Sequence, residues 1–483
     1  RVFFDQRKRT LEQHRLDATW LLLVQLALAI PAVGFALVRR REPTSTLAWI
    51  LAIVLVPVAG ALAYFALANP YVARPRRRHR DAANQTRAHN PVHDHDATCV
   101  DNRGVRSLLE GCRRLTGLPA THGNSVRHFP DTGAAEAARL AAVVEATRSV
   151  WAEYYIVHGD EAGKRFLALL TERSRAGVDV RLLVDAVGSS DIDAAGVRAL
   201  RAAGGHVEVF HPVNPFRRRW AVHLRNHRKI LLLDGNVAFC GGMNIGDNYA
   251  ARRSKMPAPF RDTMLRVEGP AVADFARVFC EDWCFVRGKP LNLPHASPQP
   301  HHSTVAVLPS GPDQPHNATA FAWFTAVGIS LERCWRTTPY LVPDAAMRAA
   351  LTPAARRGVD VRILVPHRAD FWLMTLVNRS YYPALLASGA RIFEYQPSML
   401  HAKTLLVDDH LSLVGSANVD MRSFDLNFEV GALVYDRDLA SSIAASIEHD
   451  QGDSREVTAG DLRRTTLFNM LAQGAAKLLS PVL

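Results

Sequence analysis

One short pattern occurs twice in this chain of 483 residues, and it constrains the fold more than any other feature. His227-Arg228-Lys229 runs into Ile230-Leu231-Leu232-Leu233 and ends on Asp234. His401-Ala402-Lys403 runs into Thr404-Leu405-Leu406-Val407 and ends on Asp408. In each copy six residues separate the aspartate from a small pair, Gly241-Gly242 or Gly415-Ser416, and Asn244 or Asn418 follows two residues later. A single H-x-K-x4-D run arises by chance in many chains, but two copies with matching Gly/Ser and Asn do not. The chain holds 58 Lys plus Arg, of which only seven are Lys. It nevertheless places Lys at both motif positions, where a compact point charge replaces a planar fork.

The motifs sit in a longer repeat. Gly177-Val178-Asp179-Val180-Arg181-Leu182-Leu183-Val184 matches Gly358-Val359-Asp360-Val361-Arg362-Ile363-Leu364-Val365. Each reads as a buried strand after a helix, and each precedes a helix ending near Gly204 or at Gly389. Short strands, His206–Phe210 and Arg391–Tyr395, then lead into the motifs. Strands alternating with helices predict an α/β fold with mixed or parallel sheets, built as two halves in a pseudo-twofold arrangement. Each half contributes one histidine, so the site is expected at the interface between them.

The spacing carries chemistry. In a strand, residues i and i+2 face the same way, so His227 lies with Lys229 and His401 with Lys403. The small pairs let backbone approach a bulky ligand. A phosphodiester repels nucleophiles, so cations and amide donors must offset its charge; Lys229, Lys403, Asn244 and Asn418 suit that task. One imidazole can attack phosphorus while the other protonates the leaving oxygen, without a metal.

These stretches resemble the phospholipase D superfamily, and within it the bacterial cardiolipin synthases. Arg225–Ile230 is similar to that family's first motif and Tyr395–Thr404 to its second. Ser416–Phe424, Leu426–Val430, Thr338-Pro339-Tyr340 with Pro343-Asp344, and Arg379–Tyr382 continue the resemblance. It implies transfer of a phosphatidyl group between two phosphatidylglycerol molecules through a phosphohistidine, with cardiolipin as product and no metal or other cofactor. It implies His227 as nucleophile and His401 as acid and base, the reverse order remaining open. It also implies an acidic residue beyond each motif that orients its histidine, Asp262 in the first half and Glu429 in the second. Asp234 and Asp408 complete the catalytic motifs, although their residue-level reading is to hold loops or cap turns. Two alternatives use the same residues: a phospholipase D hydrolase with water as acceptor, and a phosphodiester nuclease.

Composition bears on the choice. Segments 18–38 and 47–67 each hold 21 residues without a charge, about 32 Å as helix and enough to cross a bilayer. They predict a transmembrane hairpin within residues 1–70 and a multi-pass protein of the cell membrane. Basic residues outside the hairpin, from Arg1 to Arg15 and from Arg74 to Arg80, outnumber Arg39, Arg40 and Arg41 within it. Both ends, with the catalytic domain, are therefore expected in the cytoplasm. The net charge of +12 suits an anionic membrane surface, and a lipid anchor argues against a nucleic-acid partner. Residues 71–118 read as a polar linker, with His79, His89, His93 and His95 in its flexible part. The halves are expected at 119–293 and 304–460, joined by a linker at 294–303, with an amphipathic helix in 461–483 that rests on membrane or on protein. Arg217-Arg218-Arg219-Trp220 reads either as a phosphate-contacting cluster or as a solvated loop. Six scattered cysteines without C-x-x-C read as reduced thiols.

Overall fold

A computed structural model describes residues 19–20, 23–38, 43–67, 73–91, 100–212, 224–250, 258–294 and 301–478. The basic cluster 217–220, His93, His95, Cys99 and most of the 294–303 segment lie outside these residues. The chain divides into two units, Arg1–Ala73 and Arg74–Leu483.

The first unit is helical at 23–38, Pro43–Leu55 and Pro57–Leu67. Ala32, Ala36, Ile53, Ala61 and Tyr64 pack together, and Trp49 meets Tyr64 edge-on at 5.6 Å. Much of the remaining apolar surface is exposed, Val38 and Leu55 among it. Among the described residues no helix is long and apolar enough to cross a membrane. The uninterrupted span expected at 47–67 is broken at Val56. Pro57 has no N–H to continue the ladder. At the corner the backbone comes so close that a β-carbon on Gly60 would stand 2.2 Å from the Ala52 carbonyl oxygen. Of the segment expected at 18–38, residues 18, 21 and 22 lie outside the described set.

The second unit is an α/β fold around one mixed sheet. Its strands are β1 (Thr121–Phe129), β2 (Ser149–Tyr154), β3 (Asp179–Asp185), β4 (His206–Phe210), β5 (Arg225–Asn226), β6 (Lys229–Leu233), β7 (Val237–Gly241) and β8 (Met264–Glu268). They continue with β9 (Ser303–Ser310), β10 (Arg333–Thr337), β11 (Asp360–Pro366), β12 (Arg391–Tyr395), β13 (Thr404–Val407), β14 (Leu411–Gly415), β15 (Asn427–Tyr435) and β16 (Ser454–Val457). The order β4-β3-β2-β6-β7-β8-β1 is repeated, mirrored, as β9-β15-β14-β13-β10-β11-β12, with β16 added at the edge. Antiparallel β1 and β9 form the seam. In each run the outer three strands are parallel, as the intervening helices require. The sequence repeat appears in atomic detail: Trp151 Nε1 donates to Asp179 at 2.9 Å, and Trp335 Nε1 to Asp360 at 3.1 Å. Each run has its own apolar core. β7 also contacts β14 and β15, and β8 contacts β14, which brings the two motif regions face to face.

The stretch expected to be a polar linker is ordered differently. Ala73–His89 and Arg103–Thr116 are helices. In the first, His79, Ala82, Ala83 and Thr86 are buried, a stripe at i, i+3, i+4 and i+7. Its composition is polar, but one face is small enough to seat against the enzyme. Leu467–Leu478 forms the expected C-terminal helix and packs on the helix Trp372–Ser388. The five described cysteines are free and buried.

Candidate active site

Two backbone contacts between distant segments build the site. β5 lies parallel to the start of β15, pairing Arg225 with Asn427 and Asn226 with Phe428. An isolated parallel bridge joins Arg261 to Leu400. The His227 amide consequently donates to the Phe428 carbonyl at 2.8 Å, and the His401 amide to the Arg261 carbonyl at 2.7 Å. The residues after Phe428 and Arg261 are Glu429 and Asp262, both fully buried. His227 Nδ1 lies 2.9 Å from Glu429 and His401 Nδ1 lies 2.7 Å from Asp262. The orienting acids are thus exchanged: each histidine takes its carboxylate from the other half rather than from its own. A carboxylate only accepts, so Nδ1 carries the hydrogen and the lone pair of a neutral ring is at Nε2.

Both histidines border a single cavity of about 340 Å³. Its wall includes Tyr155, Arg225, Asn244, Tyr249, Asn418 and Arg422. Burial, helped by the Lys229 charge, outweighs Glu429 and pushes His227 down to about 4. Burial and Lys403 likewise hold His401 below its ordinary value against Asp262. Burial works upward on Glu429, but its histidine and Lys229 prevail and keep it ionised; His401 and Lys403 do so for Asp262. The pairs at neutral pH are therefore neutral imidazole beside carboxylate.

Lys229 Nζ donates to the carbonyl of His227 at 2.6 Å. Lys403 Nζ donates to the carbonyl of His401 and lies 2.9 Å from that ring's Nδ1. Neither ammonium is on the cavity wall; both act from beneath it. Burial lowers Lys229 to about 7 and Lys403 to about 8. Asn244 donates to the Tyr249 hydroxyl at 3.0 Å and accepts from the Ile156 amide at 3.3 Å. Asn418 leaves its Oδ1 buried without a hydrogen-bond partner.

The small pairs serve the acids rather than a ligand. A β-carbon on Gly242 would stand 2.1 Å from Asp262 Oδ1. The equivalent Ser416 has room, and its hydroxyl donates to Glu429 at 2.5 Å. Asp234 and Asp408 are not at the site. Each follows a motif strand at the end away from its histidine, in a turn at φ +53°. Asp234 accepts from the amides of Thr147, Arg148 and Ser149, and Asp408 from those of Leu331, Glu332 and Arg333. They fix the approach to β2 and β10.

Sequence reasoning missed several residues. Tyr155 and Tyr249 meet the rings of His227 and His401 edge-on, with centroids 4.9 and 5.5 Å apart. Beneath His227, Arg228 reaches Asp282 at 2.6 Å and the Glu429 carbonyl at 3.1 Å. His79 closes this chain, 2.5 Å from Asp282 and 2.9 Å from Asp313. The helical stripe from His79 to Thr86 was the signal that could have revealed it.

Comparison with known proteins adds ancestry to this geometry. A family model described as "Cardiolipin synthase, PLD-like domain" matches residues 140–283 and 328–451. A second, "Phospholipase D-nuclease N-terminal", matches residues 27–68. Cardiolipin synthase A of Pseudomonas fluorescens strain Pf-5 is 37% identical over 377 residues, 78% of this chain and 78% of its own. Cardiolipin synthase A of Pseudomonas fluorescens strain SBW25 is 34% identical over 456 residues, 93% of this chain and 95% of its own. The crystal structure of phosphatidylserine synthase from Haemophilus influenzae covers 79% of this chain and 100% of its own, with a TM-score of 0.60 and 15% identity. That last likeness is one of fold.

Proposed function

This chain belongs to the cardiolipin synthase family with the phospholipase D-like domain, and from that premise we propose that it transfers a phosphatidyl group from one phosphatidylglycerol to another, releasing glycerol. The observation that carries the mechanism is the pair of histidines around one cavity, each with Nδ1 held by a carboxylate. His227 Nε2 attacks the phosphorus of the first lipid. The bond to the glycerol headgroup breaks, and His401, neutral in the empty site and protonated on Nε2 as the phosphodiester anion enters, gives that proton to the leaving oxygen. A phosphatidyl-histidine remains. His401, now neutral, takes the proton of a headgroup hydroxyl on the second phosphatidylglycerol. That oxygen attacks phosphorus, the P–N bond breaks, and cardiolipin leaves with both histidines as they began. Lys229 and Lys403 offset phosphoryl charge from beneath, with Asn244 and Asn418 as amide donors on the wall. As nucleophile, His227 has a neutral ring ready at physiological pH.

The wider organisation fits this reading. The mirrored strand order supports two phospholipase D-like halves at 119–293 and 304–460 in a pseudo-twofold arrangement. The uncovered apolar surface of the first unit supports attachment to the cell membrane through segments 18–38 and 47–67, with the catalytic unit on the cytoplasmic side and an anionic lipid surface as partner. Purified protein given phosphatidylglycerol alone should form cardiolipin and glycerol in equal amounts, with little phosphatidic acid. Phosphatidic acid dominating at high phosphatidylglycerol would make water the natural acceptor. Cutting of DNA without lipid turnover would overturn the substrate class.

A further inference from the structure

The C-terminal helix Leu467–Leu478 is seated the wrong way round for a soluble surface. An ordinary surface helix turns its bulky apolar side inward and its polar side outward. Here the protein-facing side carries Ala472, Gln473 and the buried Ala476, and Asn469 and Gln473 border a polar cleft with Arg379 and Glu394. The outer side carries Leu467, Phe468, Leu471 and Leu478, which are 68%, 78%, 65% and 81% exposed. Their positions, i, i+1, i+4 and i+11, fall on one face at 100° per residue. Four large apolar side chains aligned on one uncovered face mark a contact surface rather than scatter.

Charge and position select what covers it. The helix contains no acidic residue, exposed Arg463 and Arg464 precede it, and exposed Lys477 lies near its end. An apolar face on a helix without acidic residues, flanked in sequence by Arg463, Arg464 and Lys477, matches the acyl boundary and anionic headgroups of a bilayer. The helix beneath, Trp372–Ser388, bears Met374 on the wall of the catalytic cavity. Just ahead of it Phe371 borders the same cavity, and Phe371 and Trp372 are themselves 46% and 68% exposed. We propose that the outer face of Leu467–Leu478 lies on the phospholipid surface and holds the catalytic unit against the membrane that supplies its substrates. This rests on the lipid reading of the site and adds a second membrane contact, separate from the N-terminal segments.

The test uses the full chain. In Leu467→Gln/Phe468→Gln/Leu471→Gln every changed side chain is exposed, so folding should be unaffected, as circular dichroism would verify. Turnover of long-chain phosphatidylglycerol in vesicles should fall roughly tenfold or more through KM. Turnover of a short-chain phosphatidylglycerol dispersed as monomers should be retained. Separately, Leu471→Trp should add a fluorescence component quenched by vesicles of brominated phosphatidylglycerol. Equal losses on both substrates, no loss on vesicles, or an added fluorescence that those vesicles leave unquenched would each overturn the proposal. Conversion of a dimer to a monomer with unchanged vesicle turnover would do so too, and would assign the face to a second copy. If the parent chain turns over neither lipid form, the lipid reading of the site has failed, while quenching in Leu471→Trp still reports on the helix.

Discussion

At the scale of single residues, the chemistry depends on which ring nitrogen is occupied. Glu429→Gln and Asp262→Asn keep the shape of each pair but remove the charge that favours the Nδ1–H tautomer and steadies the imidazolium. Each should lower kcat by roughly 10²- to 10⁴-fold in folded protein, and His227→Ala or His401→Ala should remove turnover almost completely. The pH profile follows from these charges. His227 must be neutral, so kcat/KM should fall as pH drops through about 4. His401, held below its ordinary value, must take up a proton and Lys229 and Lys403 must be charged, so kcat/KM should fall as pH rises, with a further loss through about 7 to 8. A profile flat across that alkaline range would refute the lysine roles. His79 gives a separate prediction, in stability. Burial alone would lower it, but Asp313 and Asp282 raise it to about 9. A raised value stabilises the fold fully below the ordinary value near 6.5 and loses that contribution as pH climbs through 9. The shift corresponds to about 3 kcal/mol. His79→Gln should therefore lower the melting temperature clearly at about pH 6 and much less at about pH 9.5.

At the scale of elements, the two small pairs are equivalent in sequence but not in tolerance. Gly242→Ala drives a β-carbon into Asp262 and should abolish activity, whereas Ser416→Gly removes one hydrogen bond to Glu429 and should cost about 1 to 2 kcal/mol of activation energy. Rates from purified variants decide this, and equal losses would contradict the geometry. The strands themselves were legible in the sequence. V-D-V-R recurs because Asp179 and Asp360 each hold a tryptophan of the neighbouring strand, and the apolar runs after Lys229 and Lys403 are buried on both faces. The exchange of acids was not legible. It arises where β5 meets β15, some two hundred residues away, and nothing local to either motif encodes that contact. Helix Ala73–His89 was hidden by its arginines, since its buried stripe consists of His, Ala and Thr rather than Leu or Val. The break at Val56 was visible as Pro57, although a kink and a corner read alike in sequence.

At the scale of the whole molecule, the seam between β1 and β9 joins two structures neither of which holds a complete site. Residues 1–294 contain His227 without Glu429, and residues 301–483 contain His401 without Asp262. Produced separately as a monomer, neither piece should turn over lipid, even where it folds; measurable turnover by a monomeric piece would show that a histidine can do without its partner's acid. The crossing of the two acids also bears on descent. A single ancestral unit carrying one histidine and one acid could not have satisfied its own imidazole, so it would have worked only as a symmetric pair in which each copy completed the other. Joined in one chain, the two copies can differ, as Gly242 and Ser416 do, but the crossing forbids either from being discarded.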